Sequence, residues 1–327
     1  MKNFNQIKGV FILLLVAFLW GFSFVTQSVG IEQVDAFTFM GIRTTLGGFV
    51  LLPIILVKDF VSSKKLNREE LAIKKKSDKK TFFCGIILGL VLTCASNFQQ
   101  HAFYYSTGGK IAFITATYMF LVPLASLIFF KKKIPFTTWI CIVSGFIGLY
   151  LLSFPNGKFS SVNKGDILAF CCAIFYCIQI LLIDKFSIEC DGIKLACTQF
   201  FTCGFITLIL MFIFEKPNFL GIKNAVLPLL YSGILSCGVA FTLQIIGQKY
   251  CDATIGSLAM CMESVFAVIM SAIILGEKLK TQEILGCLIM FLSIVISQVV
   301  DIIRNKNLKD ENLKKESTKQ VLQESTE

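Results

Sequence analysis

Glu263 stands near the centre of an apolar run that begins close to Thr254, inside "MCMESVFAVIMSAIILGEKL". An ionised carboxylate at the middle of a lipid-crossing helix costs about 2.5–3.5 kcal/mol by insertion measurements, so it must face water, meet a cation or carry a proton. Three roles are open to it: holding a substrate ammonium, carrying a coupling proton, or tying two helices together. Arg43 is the one Arg inside an apolar run. Its guanidinium stays charged and needs a carboxylate, carbonyl oxygens or water. It can pair with Glu263, hold a substrate carboxylate, or snorkel to nearby headgroups.

Other polar side chains fall at helical spacing. Trp20, Ser23 and Gln27 form a stripe in the first run, and Asn97, Gln100, His101 and Tyr104 form another in the third. Tyr118, the pair Tyr176 and Gln179, and the pair Gln244 and Gln248 add to the set. Lipid cannot solvate such groups, so each stripe is expected to face a cavity or another helix. Aromatic rings with a few hydroxyls and amides suit a small amphipathic ligand. His101, the only His in the chain, can titrate near neutral pH.

The 13 Cys show no CxxC pair and no Cys/His ligand spacing, so they read as small apolar filler. "STGGK" lacks the spacing of a phosphate-binding loop. Neither a metal nor a cofactor is expected, and no cluster of acids or His suggests catalysis.

The elements that must position these residues follow from composition. Of 327 residues 55% are hydrophobic and 16% charged, too few to clothe a soluble domain of this length. Ten apolar runs long enough to span lipid lie near 9–29, 36–57, 81–105, 111–130, 136–154, 166–186, 193–214, 225–247, 254–275 and 282–302. The expectation is an all-α membrane protein with residues 1–8, a basic loop at 58–80 and the tail 303–327 on one side. That side carries 23 of the 31 Lys and Arg against seven opposite, which places both termini in the cytoplasm. The net charge of +10 therefore reads as topology, not nucleic-acid binding. Anionic lipids are the candidate partners of the 58–80 stretch; the tail mixes Lys and Glu and suits disorder.

The chain also repeats. Tyr105–Lys133 lies on Tyr250–Lys278 at an offset of 145, matching Tyr105 with Tyr250 and Ser126 with Ser271. "RTTLGGFVLLPIIL" from Arg43 lies on "QFFTCGFITLILMF" from Gln199 at an offset of 156, matching Gly48 with Gly204. The eleven-residue difference falls on the long basic stretch. Two copies of five spans, 9–154 and 166–302 around a linker at 155–165, must be inverted, an arrangement used by secondary transporters.

"LWGFSF" (Leu19–Phe24), Arg43, the passage "HAFYYSTGGKIAFITATYMFLVPLASLIF" with Pro123, and "GEKL" (Gly276–Leu279) occur in an order that resembles the EamA-type branch of the drug/metabolite transporter superfamily. Two departures stand out: Ser264 replaces the family's Pro after Glu263, and the 58–80 stretch is long. The resemblance implies export or exchange of small metabolites, often amino acids, by alternating access. Within transport the alternative is an uptake carrier for a nucleotide-like metabolite. Outside it, a membrane sensor or partner-docking protein would need a soluble domain, and no loop exceeds about 25 residues.

Overall fold

Backbone N–H and C=O groups in lipid need internal partners, and the chain meets that demand with helices alone. The computed structural model describes residues 2–64, 66–132, 134–153, 162–275, 280–300 and 303, among which no strand occurs. Among the described residues ten helices are long and apolar enough to cross a membrane. They are α1 Asn5–Ile31, α2 Ala36–Ser63, α3 Arg68–Ala102, α4 Gly108–Phe130, α5 Phe136–Ser153, α6 Lys164–Phe186, α7 Gly192–Phe214, α8 Val226–Gln248, α9 Ala253–Ile274 and α10 Thr281–Val300. The Gly276–Leu279 signature, residue 154, residues 155–161 of the linker and nearly all of the C-terminal tail lie outside the described residues.

Local chemistry sets the starts. Asn67 and Glu70 exchange bonds of 2.9 Å in a capping box at α3, and Asn163 with Asp166 does the same at α6. Asp191 accepts the N–H groups of Ile193 and Lys194 at α7, and Asp252 accepts that of Thr254 at α9.

The structure corrects one expectation here. The 58–80 stretch is no loop: α2 continues to Ser63 and α3 begins at Arg68. At 35 residues, α3 extends for about 52 Å, well beyond the roughly 30 Å hydrocarbon layer. Lysines forbidden in lipid are compatible with a helix once it has left the membrane. Asp59 ties this extension down, meeting Lys74 at 3.0 Å and Lys194 of α7 at 2.9 Å.

Helix contacts come in exchange pairs. α2 packs on α7; α3 packs on α6 and α7, as α8 packs on α1 and α2; α4 packs on α6 and α9, as α9 packs on α1 and α4. When the first five helices are swapped with the last five, the α2–α7 and α4–α9 contacts map onto themselves and the others map onto one another. Individual residues obey the same swap. Asp59 reaches Lys194, and 156 residues on Glu215 reaches Thr38. A Cβ added to Gly48 would meet the Phe201 ring; one added to Gly204 would meet Thr45.

α4 and α9 break at matched places. α4 pauses after Thr115 and resumes at Tyr118, and α9 pauses at Cys261. The two breaks touch: the Cys261 thiol donates to the Ala116 carbonyl at 3.5 Å, a contact between repeat mates. In α8, Tyr231–Phe241 is wound as a π-helix, a distortion often found at functional sites.

Candidate functional site

The breaks in α4 and α9 place Tyr118 and Glu263 against each other at the centre of the bundle. The Tyr118 hydroxyl donates to Glu263 Oε1 at 3.2 Å, and Glu263 is 4% exposed. Both line a cavity of about 430 Å³. From α1 come Trp20, Ser23, Phe24 and Gln27; from α6 come Tyr176, Gln179 and Ile180. α8 supplies Ser236, Phe241 and Gln244 from its π-helical segment and the turn after it, α3 supplies Gln99, and α2 supplies Arg43. The wall therefore draws on both halves, with aromatic rings, four amide side chains and two groups of opposite charge.

Arg43 reaches the cavity without a carboxylate partner among the described residues. Its Nη2 donates to Ser236 Oγ at 3.3 Å and its Nε to Cys237 Sγ at 3.5 Å. Nη1 is buried and finds no hydrogen-bond partner in the protein. A guanidinium is a planar fork suited to a carboxylate, and one prong of this fork is uncommitted. The ring of Phe39 lies 6.0 Å from its Cζ. Arg43 does not snorkel: it is 5% exposed.

Of the stripes read from sequence, those of α1 and α6 and the Gln244 half of the α8 pair reach the cavity, together with Tyr118, Glu263 and Arg43; Gln248 instead bonds the Ile180 carbonyl. The α3 stripe does not. Asn97 donates to Thr207 Oγ1 of α7 at 2.9 Å, and Gln100 is fully buried away from the cavity wall. His101 Nδ1 bonds the Asn97 carbonyl at 2.8 Å, and its ring rests 4.4 Å from that of Phe37. α3 is packed on two sides, so a polar face that avoids lipid has two places to go. Asn97, Gln100 and His101 lie on the helix-packing side, and Gln99 alone turns to the cavity. The series Leu92, Ser96 and Gln99, which lines a smaller chamber of about 230 Å³ behind Arg43, was the sequence signal for that face.

Sequence comparison identifies a family and structural comparison a shared fold. The model of the EamA-like transporter family matches twice, over residues 7–154 and 163–298. An uncharacterized transporter of Archaeoglobus fulgidus is 26% identical over 284 residues, covering 87% of this chain and 83% of its own length. The uncharacterized transporter YoaV of Bacillus subtilis is 22% identical over 293 residues, covering 87% and 94%. A solved crystal structure of another protein shares the fold with TM-score 0.71 at 15% identity, covering 90% of this chain and 96% of that one.

Proposed function

The chain belongs to the EamA-like transporter family, and from that premise we propose that it is a secondary carrier for small zwitterionic metabolites, amino acids or close relatives, which it exports or exchanges across the cytoplasmic membrane. The reading rests on one observation: a cavity shared by both halves holds Arg43, bonded to Ser236 and Cys237, and Glu263, bonded to Tyr118, without an ion pair between them. A substrate carrying a carboxylate and an ammonium supplies the missing partner to each, and bringing both of its charges out of water is tolerable only where both are met. The exchange symmetry of the helix contacts supports an inverted repeat, and with it alternating access by rocking of one half against the other. The excess of Lys and Arg on the side of both termini supports a cytoplasmic placement of those ends.

Glu263 has two duties in this scheme: it meets the ammonium when substrate is bound, and takes up a proton when it is not. The experiment is reconstitution into liposomes with labelled amino acids and nucleotide-like metabolites, with and without a pH gradient. Saturable flux of amino acids is expected. Glu263→Gln should leave the protein folded and flatten the pH dependence of that flux. Saturable flux of nucleotide-like compounds alone would reassign the substrate; unchanged flux at every pH would remove Glu263 from the mechanism.

A further inference from the structure

The cavity is ordered along the membrane normal. Counting from the helix ends opposite the basic face, Arg43 lies about 10 Å deep, Glu263 about 16 Å and Gln179 about 22 Å at the ordinary rise of an α-helix. Gln244 of α8 stands deeper still, beside the α6 segment that carries Gln179: Gln248, one turn on, donates to the Ile180 carbonyl at 3.1 Å. The two charges thus occupy one end and the middle, while the end toward the basic face is neutral.

That neutral end holds unspent hydrogen-bonding capacity. Gln179 is fully buried, lines the cavity, and neither its Oε1 nor its Nε2 has a partner in the protein. Gln244 Oε1 is also without a partner, as is Trp20 Nε1, whose backbone stands about 16 Å deep, level with Glu263. The Phe241 ring, also on the cavity wall, lies 4.7 Å from the Trp20 indole. Buried polar groups left unpaired are costly. A site holding several of them favours a ligand that completes them and rejects an apolar isostere.

We propose that Gln179, aided by Gln244 and Trp20, forms a subsite for an uncharged hydrogen-bonding group on the substrate's side chain, an amide or a hydroxyl. The carrier then selects amino acids with neutral polar side chains over aliphatic ones of the same size. This deepens the reading given above and rests on it. The substrate lies along the normal, its carboxylate at Arg43, its ammonium at Glu263, and its side chain pointing toward the basic face. Gln179 presents both a donor and an acceptor, which suits a primary amide best.

Glutamine and norleucine, nearly equal in length, separate the two outcomes. In proteoliposomes, glutamine should compete at least about tenfold better than norleucine, and Gln179→Met should bring that ratio close to one. A second readout does not need transport. The chain has two Trp, so Trp139→Phe leaves Trp20 as the sole emitter, and its fluorescence should titrate with glutamine and not with norleucine. A wild-type ratio near one, or a Gln179→Met protein that loses both compounds equally, overturns the subsite while leaving amino-acid transport standing. Failure of every amino acid to compete or to change Trp20 emission overturns the broader reading, and the subsite with it.

Discussion

Matched positions of the two halves, 156 residues apart, show what the repeat keeps and what it discards. Gly48 and Gly204 are the same residue in the same job, each admitting the opposite helix at the α2–α7 crossing. Asp35 and Asp191 are the same residue in different jobs. Asp191 caps its own helix and meets Lys58, whereas Asp35 makes no cap bond, and α2 takes its partners from elsewhere. The Glu215 carboxylate accepts the Phe37 and Thr38 N–H groups, both at 2.7 Å, and the Tyr104 hydroxyl accepts that of Ala36 at 2.9 Å. Arg43 and Gln199 differ in kind: the first lines the cavity, while the second is fully buried away from it. Packing is duplicated, capping is reassigned, and charge is single. A carrier with twofold packing but a cationic group in only one half binds its substrate in one orientation.

The most damaging way to test that asymmetry is to erase it. Arg43→Gln gives the first half the second half's residue and removes the one cation on the cavity wall. Apparent affinity for zwitterionic substrate should fall at least about thirtyfold, the equivalent of about 2 kcal/mol for losing one partner of a buried charge pair. Flux over a range of substrate concentrations in proteoliposomes measures it. Gln199→Arg in the same protein should not restore transport, because α7 contributes no residue to the cavity. Restoration would show the halves to be interchangeable and the comparison to be misread.

The packing match can be sharpened to a difference of degree. A Cβ on Gly204 would stand 2.4 Å from Thr45 Oγ1 and 3.0 Å from the Thr45 backbone nitrogen, so α2 itself must move. A Cβ on Gly48 would stand 3.1 Å from the edge of the Phe201 ring, which can shift aside. Gly204→Ala should therefore destabilise by about 1–3 kcal/mol, as overpacking does. Gly48→Ala should be close to neutral, because the helix propensity of Ala offsets a small displacement. Thermal denaturation in detergent, followed by size exclusion, ranks the two. Equal losses would mean that the crossing is symmetrical in stiffness as well as in sequence.

What the sequence made legible, and what it hid, follows the same physics. The spans were legible because lipid forbids polar backbone and charged side chains over a fixed thickness, and the repeat because matched crossings need small residues such as Gly48 and Gly204. Most of the cavity wall was legible too, since a stripe such as Trp20, Ser23 and Gln27 must turn away from lipid, and on α1 the sheltered face is the one that lines the cavity. On α3 the buried polar surface is shared between the cavity and the helix contacts, so burial alone does not choose between them: Gln99 takes the cavity, and Asn97 meets Thr207 of the other half. The 58–80 stretch was misread for a related reason. Charge excludes a segment from lipid but not from a helix, and the capping box of Asn67 with Glu70 restarts the helix outside the membrane.

The capping difference should produce the smallest effect and the clearest sign. Burial pushes the Asp191 carboxyl up, but the Lys58 ammonium and the N–H groups of Lys194 and Ile193 outweigh it and hold the group below its ordinary value of 3.8. A carboxyl held low when folded stabilises the fold above the ordinary value, and that contribution disappears as the pH falls through the lower folded value. Asp191→Asn keeps an oxygen to cap α7 and loses only the charge. It should cost under about 1 kcal/mol at neutral pH, since the pair with Lys58 is partly exposed, and the gap from wild type should close on acidification below about pH 4. Asp35→Asn at the matched position should cost less at neutral pH, because Asp35 makes no cap bond and touches only the Tyr104 hydroxyl, at 3.4 Å. Denaturation midpoints of both variants across pH 3 to 7 decide the matter. If Asp35→Asn proved the more harmful, α2 would depend on its own cap after all, and the assignment of that duty to Glu215 and Tyr104 would fall.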